Sequence, residues 1–318
     1  MTGPYRPASR RRRHRRASLP RRLALIAGLV VVVLAGLRLV PGSPFAADAV
    51  ASWGRTILPG ASQNGTGGVG SGGGRPSPTQ TPSPLPPLPI RPAAVKVDIP
   101  DGWVSWAMMD RRTGKISGSA NMTETSTTAS MIKSWIVADF LRRNAEQGTT
   151  PSDARMRQVS ITIRDSDNDA AEALWRLVGR EKSIDRLIDI CKLTDSSAVK
   201  GFWSNTHLSP RDITRLGACI ADGRAAGPKW TKYLLGEMEA VRGVGNFGIR
   251  LAFPEDEQDD IAIKNGWVTR EDEGNWHVSC LAIGDGWSVG VMTRYPIKLG
   301  FEYGTKVCLN VGKQLLAT

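Results

Sequence analysis

The chain has 318 residues, 41% of them hydrophobic and 23% charged, and a formal net charge of +12. That charge is not spread evenly: residues 1–95 hold 13 Arg or Lys against a single acid, Asp48, whereas residues 96–318 hold 29 of each sign. The neutral part has no electrostatic reason to hold a polyanion, which excludes nucleic acid as an expected partner.

Nine Arg precede Leu23, including the run Ser9–Arg16 ("SRRRRHRR"), and an uninterrupted apolar stretch follows from Leu23 to Leu37. A spanning helix takes about 20 residues. Residues 23–40 reach that length if Arg38 snorkels to the far interface. The Arg cluster ahead of the apolar run predicts an N-terminus inside and a C-terminal part outside the cytoplasm. A cleaved signal peptide, with Ala47-Asp48-Ala49 as a small-x-small site, is the other reading, and it leads to the same side of the membrane. On the first reading residues 1–22 are a basic cytoplasmic segment, residues 23–40 are a single-pass anchor, and the membrane is a partner through this helix. Residues 41–95 hold 11 Pro and 10 Gly. They read as a linker, flexible over Gly65–Gly74 and stiffer, polyproline-like, over Pro76–Pro92.

Residues 96–318 suffice for one well-buried domain. Trp103–Asp110 reads as a strand, followed by a turn and a second strand, Ile116–Ala120. Ser130–Arg143 reads as a helix, with Gly148 and Pro151 beyond its end. It is apolar nearly all round, which places Lys133 in or near a core. Further helices are expected near residues 167–177, 182–191, 209–222 and 230–241, the third with Ser209 as N-cap and Pro210 in its first position. Strands return at 260–268, 275–284 and 287–295, and a helix over 302–316 closes the chain. This order predicts an α+β fold, an antiparallel sheet of about five strands with a helical subdomain. All four cysteines, Cys191, Cys219, Cys280 and Cys308, lie in this region. Outside the cytoplasm they permit two disulfides in three connectivities, Cys191–Cys219 with Cys280–Cys308 being preferred; four buried thiols are the other reading.

Three short motifs recur in a telling order. Ser130-Met131-Ile132-Lys133 sits on the buried helix, Ser166-Asp167-Asn168 on a loop that opens a helix, and Lys264-Asn265-Gly266 on the first late strand. With 24 Ser and 12 Lys in the chain, chance alone supplies about one Ser-x-x-Lys, so the first motif proves nothing by itself. A second one, Ser197 to Lys200, has no Ser-Asp-Asn after it and is set aside. The ordered triple over residues 103–316 resembles the penicillin-binding-protein and serine β-lactamase superfamily.

That resemblance implies a serine acyl-transfer enzyme needing no cofactor and no metal. Ser130 would be acylated, with Lys133 as its base once burial depresses the amine pKa. Ser166 would pass a proton to the leaving nitrogen, Lys264 would tune Ser166 and attract a substrate carboxylate, and Asn168 would hold Lys133 and the substrate amide. The backbone N–H groups of Ser130 and Trp267 would form the oxyanion hole, with Asn265 and Gly266 beside the substrate. Asn265 stands where active members carry Thr or Ser, and Trp267 is large for a site-lining position. The interval from Ser130 to Ser166 is short for the helical block. No Glu-x-x-x-Asn follows the second motif, although class A β-lactamases place the deacylating Glu there; Leu193–His207 fills that region.

The expected function is therefore a membrane-tethered extracytoplasmic serine hydrolase or acyltransferase acting on a peptide or amide such as a peptidoglycan-type ligand. The alternative is a degenerate member that binds a ligand or partner without turnover; β-lactam hydrolysis is the third reading. Three other signals carry less. Gly243–Gly248 ("GVGNFG") matches a dinucleotide-binding pattern but follows a helix, so it reads as a loop. Pro254–Asp260 lacks calcium-loop spacing. The three histidines are too scattered for zinc, and His277 reads as structural.

Overall fold

The computed structural model describes residues 85–92 and 94–316. The basic segment, the apolar run 23–40 and most of the expected linker lie outside the described residues. Among those described, no helix is long and apolar enough to cross a membrane.

In chain order the elements are β1 (Trp103–Asp110), β2 (Lys115–Gly118), β3 (Ser126–Thr127), α1 (Lys133–Glu146), α2 (Asp153–Arg164), α3 (Asn168–Leu177), α4 (Glu181–Cys191), β4 (His207–Leu208), α5 (Pro210–Ala221), α6 (Thr231–Glu239), α7 (Glu255–Gln258), β5 (Ala262–Arg270), β6 (Asn275–Gly284), β7 (Trp287–Pro296) and α8 (Phe301–Leu315). β1, β2, β5, β6 and β7 form one antiparallel sheet in the order β2-β1-β7-β6-β5, and β3 pairs with β4 in a small ribbon. The α+β expectation holds, with α1–α7 between β2 and β5 in sequence and α8 after β7.

Strand alternation divides the work of the two sheet faces. On one face α5 packs against β1 and β7. There a Cβ at Gly290 would come within 2.6 Å of Ile213, so only glycine admits the helix this close. The other face carries α8, joined to β6 by the Cys280–Cys308 disulfide. The second disulfide, Cys191–Cys219, joins α4 to α5, so the preferred pairing is the one formed. Ser209 caps α5 as expected, accepting from Asp212 N at 3.0 Å.

Two differences from the sequence reading affect the site. The expected helix from Ser130 divides into a 3-10 turn, Ala129–Ile132, and α1, which begins at Lys133. α2 was not expected at all. Ser152 caps it, and Val159, Thr162 and Ile163 bury its inner side. It fills the interval between the first two motifs and delivers the second to the first. Residues 86–91 also run onto the domain edge, where Ile90 is buried, pairs with Leu316, and is followed by an Arg91 N–H donated to Leu315 O.

Candidate active site

Ser130 lies half-buried on the 3-10 turn that runs into α1, one turn before the fully buried Lys133. Several hydrogen bonds fix the turn from below. Thr128 donates both its N–H and its hydroxyl to Thr206 O, at 2.8 and 3.0 Å. Ser279 Oγ of β6 donates to Thr128 O at 2.6 Å. Thr127 Oγ1 lies 2.7 Å from His277 Nδ1, whose Nε2 faces Glu273 at 2.9 Å, so His277 is structural as expected. Ala129 is held at φ +46°, a conformation that costs a residue with a side chain about 1 kcal/mol or more.

Gly266 brings β5 against this turn. A Cβ there would fall 2.2 Å from Thr128 O, 2.6 Å from Met131 N and 2.7 Å from Ser130 N. The third motif needs its glycine because the strand and the serine turn touch backbone to backbone.

The second motif arrives on the loop between α2 and α3. Asp167 caps α3, accepting from Ala170 N at 2.7 Å, and Asn168 is the first helical residue. Ser166, just before the cap, sits at φ +57°. Lys133 Nζ donates to Ser166 O at 2.5 Å, to Asn168 Oδ1 at 2.7 Å and to Ser166 Oγ at 3.3 Å. Those acceptors match the three donors of an ammonium, and no hydrogen bond joins Lys133 to Ser130 Oγ. Lys264, fully buried on β5, donates to the same Ser166 Oγ at 2.9 Å. Two lysines thus occupy both lone pairs of one hydroxyl, which leaves the Ser166 proton free to point elsewhere.

Burial governs both amines. Desolvation lowers the Lys133 pKa from its ordinary value to about 7, against a smaller upward pull from Asp167. Desolvation, then the charge of Lys133, drives Lys264 well below the ordinary lysine range. The ring of Trp203, itself buried, covers Lys133 with its centroid 4.6 Å from Nζ. Trp203 belongs to the stretch that lacks the deacylating glutamate. Asp212 anchors that stretch by accepting from the N–H groups of Thr194 and Asp195 and from Ser196 Oγ.

Ser130, Ser166, Asn168 and Trp267 line a cleft of about 420 Å³. The rest of its wall is Asp165, Arg242 and the turn at Gly243–Val244. Arg242 and Asp165 form a two-pronged ion pair, at 2.6 and 2.9 Å. The glycine-rich loop that resembled a nucleotide motif is thus part of the cleft wall. Trp267 packs between Phe247 and Phe301, with ring centroids 5.8 and 5.5 Å away.

Asn265 corrects one expectation about the strand. Its side chain is buried on the α8 face, opposite Lys264 and Gly266, and its Nδ2 donates to Gly245 O and Phe247 O at 3.1 and 2.7 Å. It braces the loop behind the cleft wall. The period of two along a strand already signalled this. No comparable sequence signal marks Trp203 or Arg242, which reach the site across long stretches of chain, while Asp165 comes with the second motif as the neighbour of Ser166.

No family model matches the chain. Over 203 residues it is 25% identical to "Putative lipoprotein LppW" of Mycobacterium tuberculosis and of Mycobacterium bovis, an alignment covering 62% of this chain. The chain spans 64% of the length of these curated relatives. Among solved structures it is similar to a β-lactamase from Sphaerobacter thermophilus (TM-score 0.55, 17% identity, 67% of this chain and 90% of that one). It is also similar to the class A β-lactamase of Mycobacterium abscessus (0.52, 14%, 67% and 92%) and to a β-lactamase from Streptosporangium roseum (0.53, 15%, 68% and 92%). The fold is that of these β-lactamases.

Proposed function

We propose that the chain is an extracytoplasmic serine acyl-transfer enzyme that forms an acyl-enzyme at Ser130, taking as donor a peptide or amide of the cell-wall kind. The observation that carries this reading is the meeting of Lys133 and Lys264 at Ser166 Oγ, beside Ser130 on one cleft. Lys133, near half-neutral at pH 7, moves one turn back to take the Ser130 proton. Ser130 Oγ then bonds to the donor carbonyl carbon, with the oxyanion at the N–H groups of Ser130 and Trp267. The C–N bond breaks as Ser166 gives its proton to the leaving nitrogen, and Lys133 passes the proton it took from Ser130 to Ser166 Oγ, directly or by way of Lys264. Water or an amine then attacks the ester carbonyl and loses a proton to Lys133, which passes it to Ser130 Oγ as the ester C–O bond breaks.

Trp203 over Lys133 supports slow hydrolysis, because an apolar ring stands against the amine, the stretch holds no glutamate, and its one carboxylate, Asp195, is bonded to Ser209 and Arg211. That makes a donor amide a better-suited substrate than β-lactam hydrolysis. A tether to the envelope rests on the apolar run 23–40, the two disulfides and a relative named as a lipoprotein. Membrane fractionation and intact mass of the mature chain distinguish a retained anchor helix from a cleaved signal peptide.

A second reading has its own support. Ser130 Oγ is not hydrogen-bonded to Lys133, and Asn265 offers the cleft no hydroxyl. Under it the chain binds the same ligands without turnover. Labelling of the chain with a fluorescent penicillin and a fluorophosphonate, with Ser130→Ala alongside and intact mass followed over time, separates the two. A Ser130-dependent adduct that persists supports acyl transfer. Absence of any adduct on a folded chain leaves the binding reading.

A further inference from the structure

We propose a second binding site on the α8 face of the sheet, away from the cleft, that takes a single-chain amphipathic anion of the fatty-acid kind, its alkyl chain beside residues 86–92 and its acidic head at Lys115. The site uses none of the acyl-transfer residues and stands whether or not Ser130 is acylated.

Strand register locates the site. Cys280, whose sulfur is bonded to α8, pairs with Val291, and Val291 pairs with Trp106. The period of two then puts Met108 and Asp110 of β1 on the α8 face, with Ser117 and Lys115 of β2 directly across from them. Residues 86–92 pass over this face as a strap, and a cavity of about 390 Å³ lies between strap and hairpin. Leu88, Ile90 and Met108 give it an apolar wall that Pro87 and Pro92 extend. Its volume is at the low end of ligand pockets, roughly 300–1,000 Å³, which suits one slender chain. The wall is also fixed in place. Leu88 seats on Gly286, where a Cβ would lie 2.9 Å from Leu88 Cδ2 and 3.2 Å from Arg112 Cδ. Arg112 Nη1 donates to Pro86 O at 2.5 Å, and Ile90 pairs with Leu316, so the strap is pinned at both ends of the cavity.

Charge decides the head group. Three cations, Arg91, Arg112 and Lys115, border the cavity against one acid, Asp110. That acid is already taken, since Arg112 gives it Nε and Nη2 at 2.9 and 2.8 Å. Lys115 is exposed, and among the described residues no hydrogen bond or ion pair engages its ammonium. An anion entering here meets a point charge on a flexible stem beside an apolar wall. Across the strap lies a cavity of about 420 Å³ bordered by Glu257, Asp260 and Asp285, whose charges repel the same head. Other occupants match less well. Residues 41–84 hold Asp48 as their single acid, so the chain upstream of the strap has little charge to offer. The acidic run 255–260 of a second copy has the charge but no apolar residue to fill the wall.

The test crosslinks a diazirine-bearing decanoate to the full chain in phosphatidylcholine nanodiscs at neutral pH and maps the adducts by mass spectrometry. Adducts are expected on residues 86–92 and 108–117, displaced by decanoate and about fivefold less well by decanol, whose neutral head forgoes the charge-assisted bond. Lys115→Glu should cut these adducts by a similar factor and Lys115→Arg should keep them. Ser117→Phe should abolish them by filling the cavity, with the thermal melt and the labelling of Ser130 left as in wild type. Adducts that decanol displaces equally well, or that survive Lys115→Glu, overturn the site, as does labelling confined to other peptides. A concentration-dependent dimer that Lys115→Glu disperses and decanoate leaves intact also overturns it, and gives the face to a second copy.

Discussion

Lys133 and Lys264 reach the same atom, Ser166 Oγ, from opposite elements, at 3.3 and 2.9 Å. Helix α1 supplies one amine and strand β5 the other, and the hydroxyl between them belongs to neither. Two buried amines this close share a proton more readily than they hold two.

The first prediction concerns pH. The Lys133 pKa of about 7 gives acylation of Ser130 an ascending limb centred near pH 7, since the neutral amine is the base. Asp167 pulls that pKa upward. Asp167→Asn keeps a residue able to cap α3 and should move the limb to lower pH. Stopped-time labelling between pH 5 and 9 reads the midpoint; an upward shift would contradict the assignment of Lys133 as base.

Stability should carry the same signature. Both lysines have folded-state pKa values below their unfolded values. Between pH 7 and 10 the unfolded chain therefore binds more protons than the folded one, and unfolding free energy rises with pH over that window. Lys133→Met removes one of the two contributions, so the rise should become shallower. Urea unfolding at pH 7 and pH 9.5, wild type beside variant, provides the measurement.

Gly266→Ala should damage fold and site together. The new methyl meets Thr128 O at 2.2 Å, between two backbones with no flexible side chain to yield. A loss of about 2–4 kcal/mol is expected, together with loss of Ser130 labelling. A thermal melt unchanged from wild type would show that β5 stands off the serine turn.

Ser166 separates chemistry from strain. At φ +57° a glycine is more comfortable than any residue with a Cβ. Ser166→Gly should be about 1 kcal/mol more stable than Ser166→Ala, while both slow acylation equally by losing the hydroxyl. Denaturation midpoints of the two variants decide the first part and labelling rates the second.

The sheet was legible because its strands announce themselves. β1, β6 and β7 have clear runs between turn residues, and the observed bounds fall within a residue of those expected. β5 starts two residues after its expected position, because the acidic turn before it offers no sharp start. α2 is hard to see in the sequence although Ser152 and Asp153 form an ordinary helix start, because its four Arg or Gln residues blur the apolar side that Val159, Thr162 and Ile163 present inward. In the site, Ser130, Lys133, Ser166, Asn168 and Lys264 were legible as ordered motifs. Arg242 was not, since its bond to Asp165 spans 77 positions and no local period encodes it. Trp203 over Lys133 is hidden in the same way.

The pairing of Ile90 with Leu316, backed by Gln314 bonded to Lys96 on both N–H and C=O, brings the incoming and outgoing strands of the domain together. Tension applied to the chain ahead of residue 85 is therefore taken up at this seam, on α8 and the strap beside it. Lys133 on α1 and Ser166 on the loop between α2 and α3 belong to other parts of the domain. The domain then hangs like a pendant on its cord, with the pull entering at the Ile90–Leu316 seam.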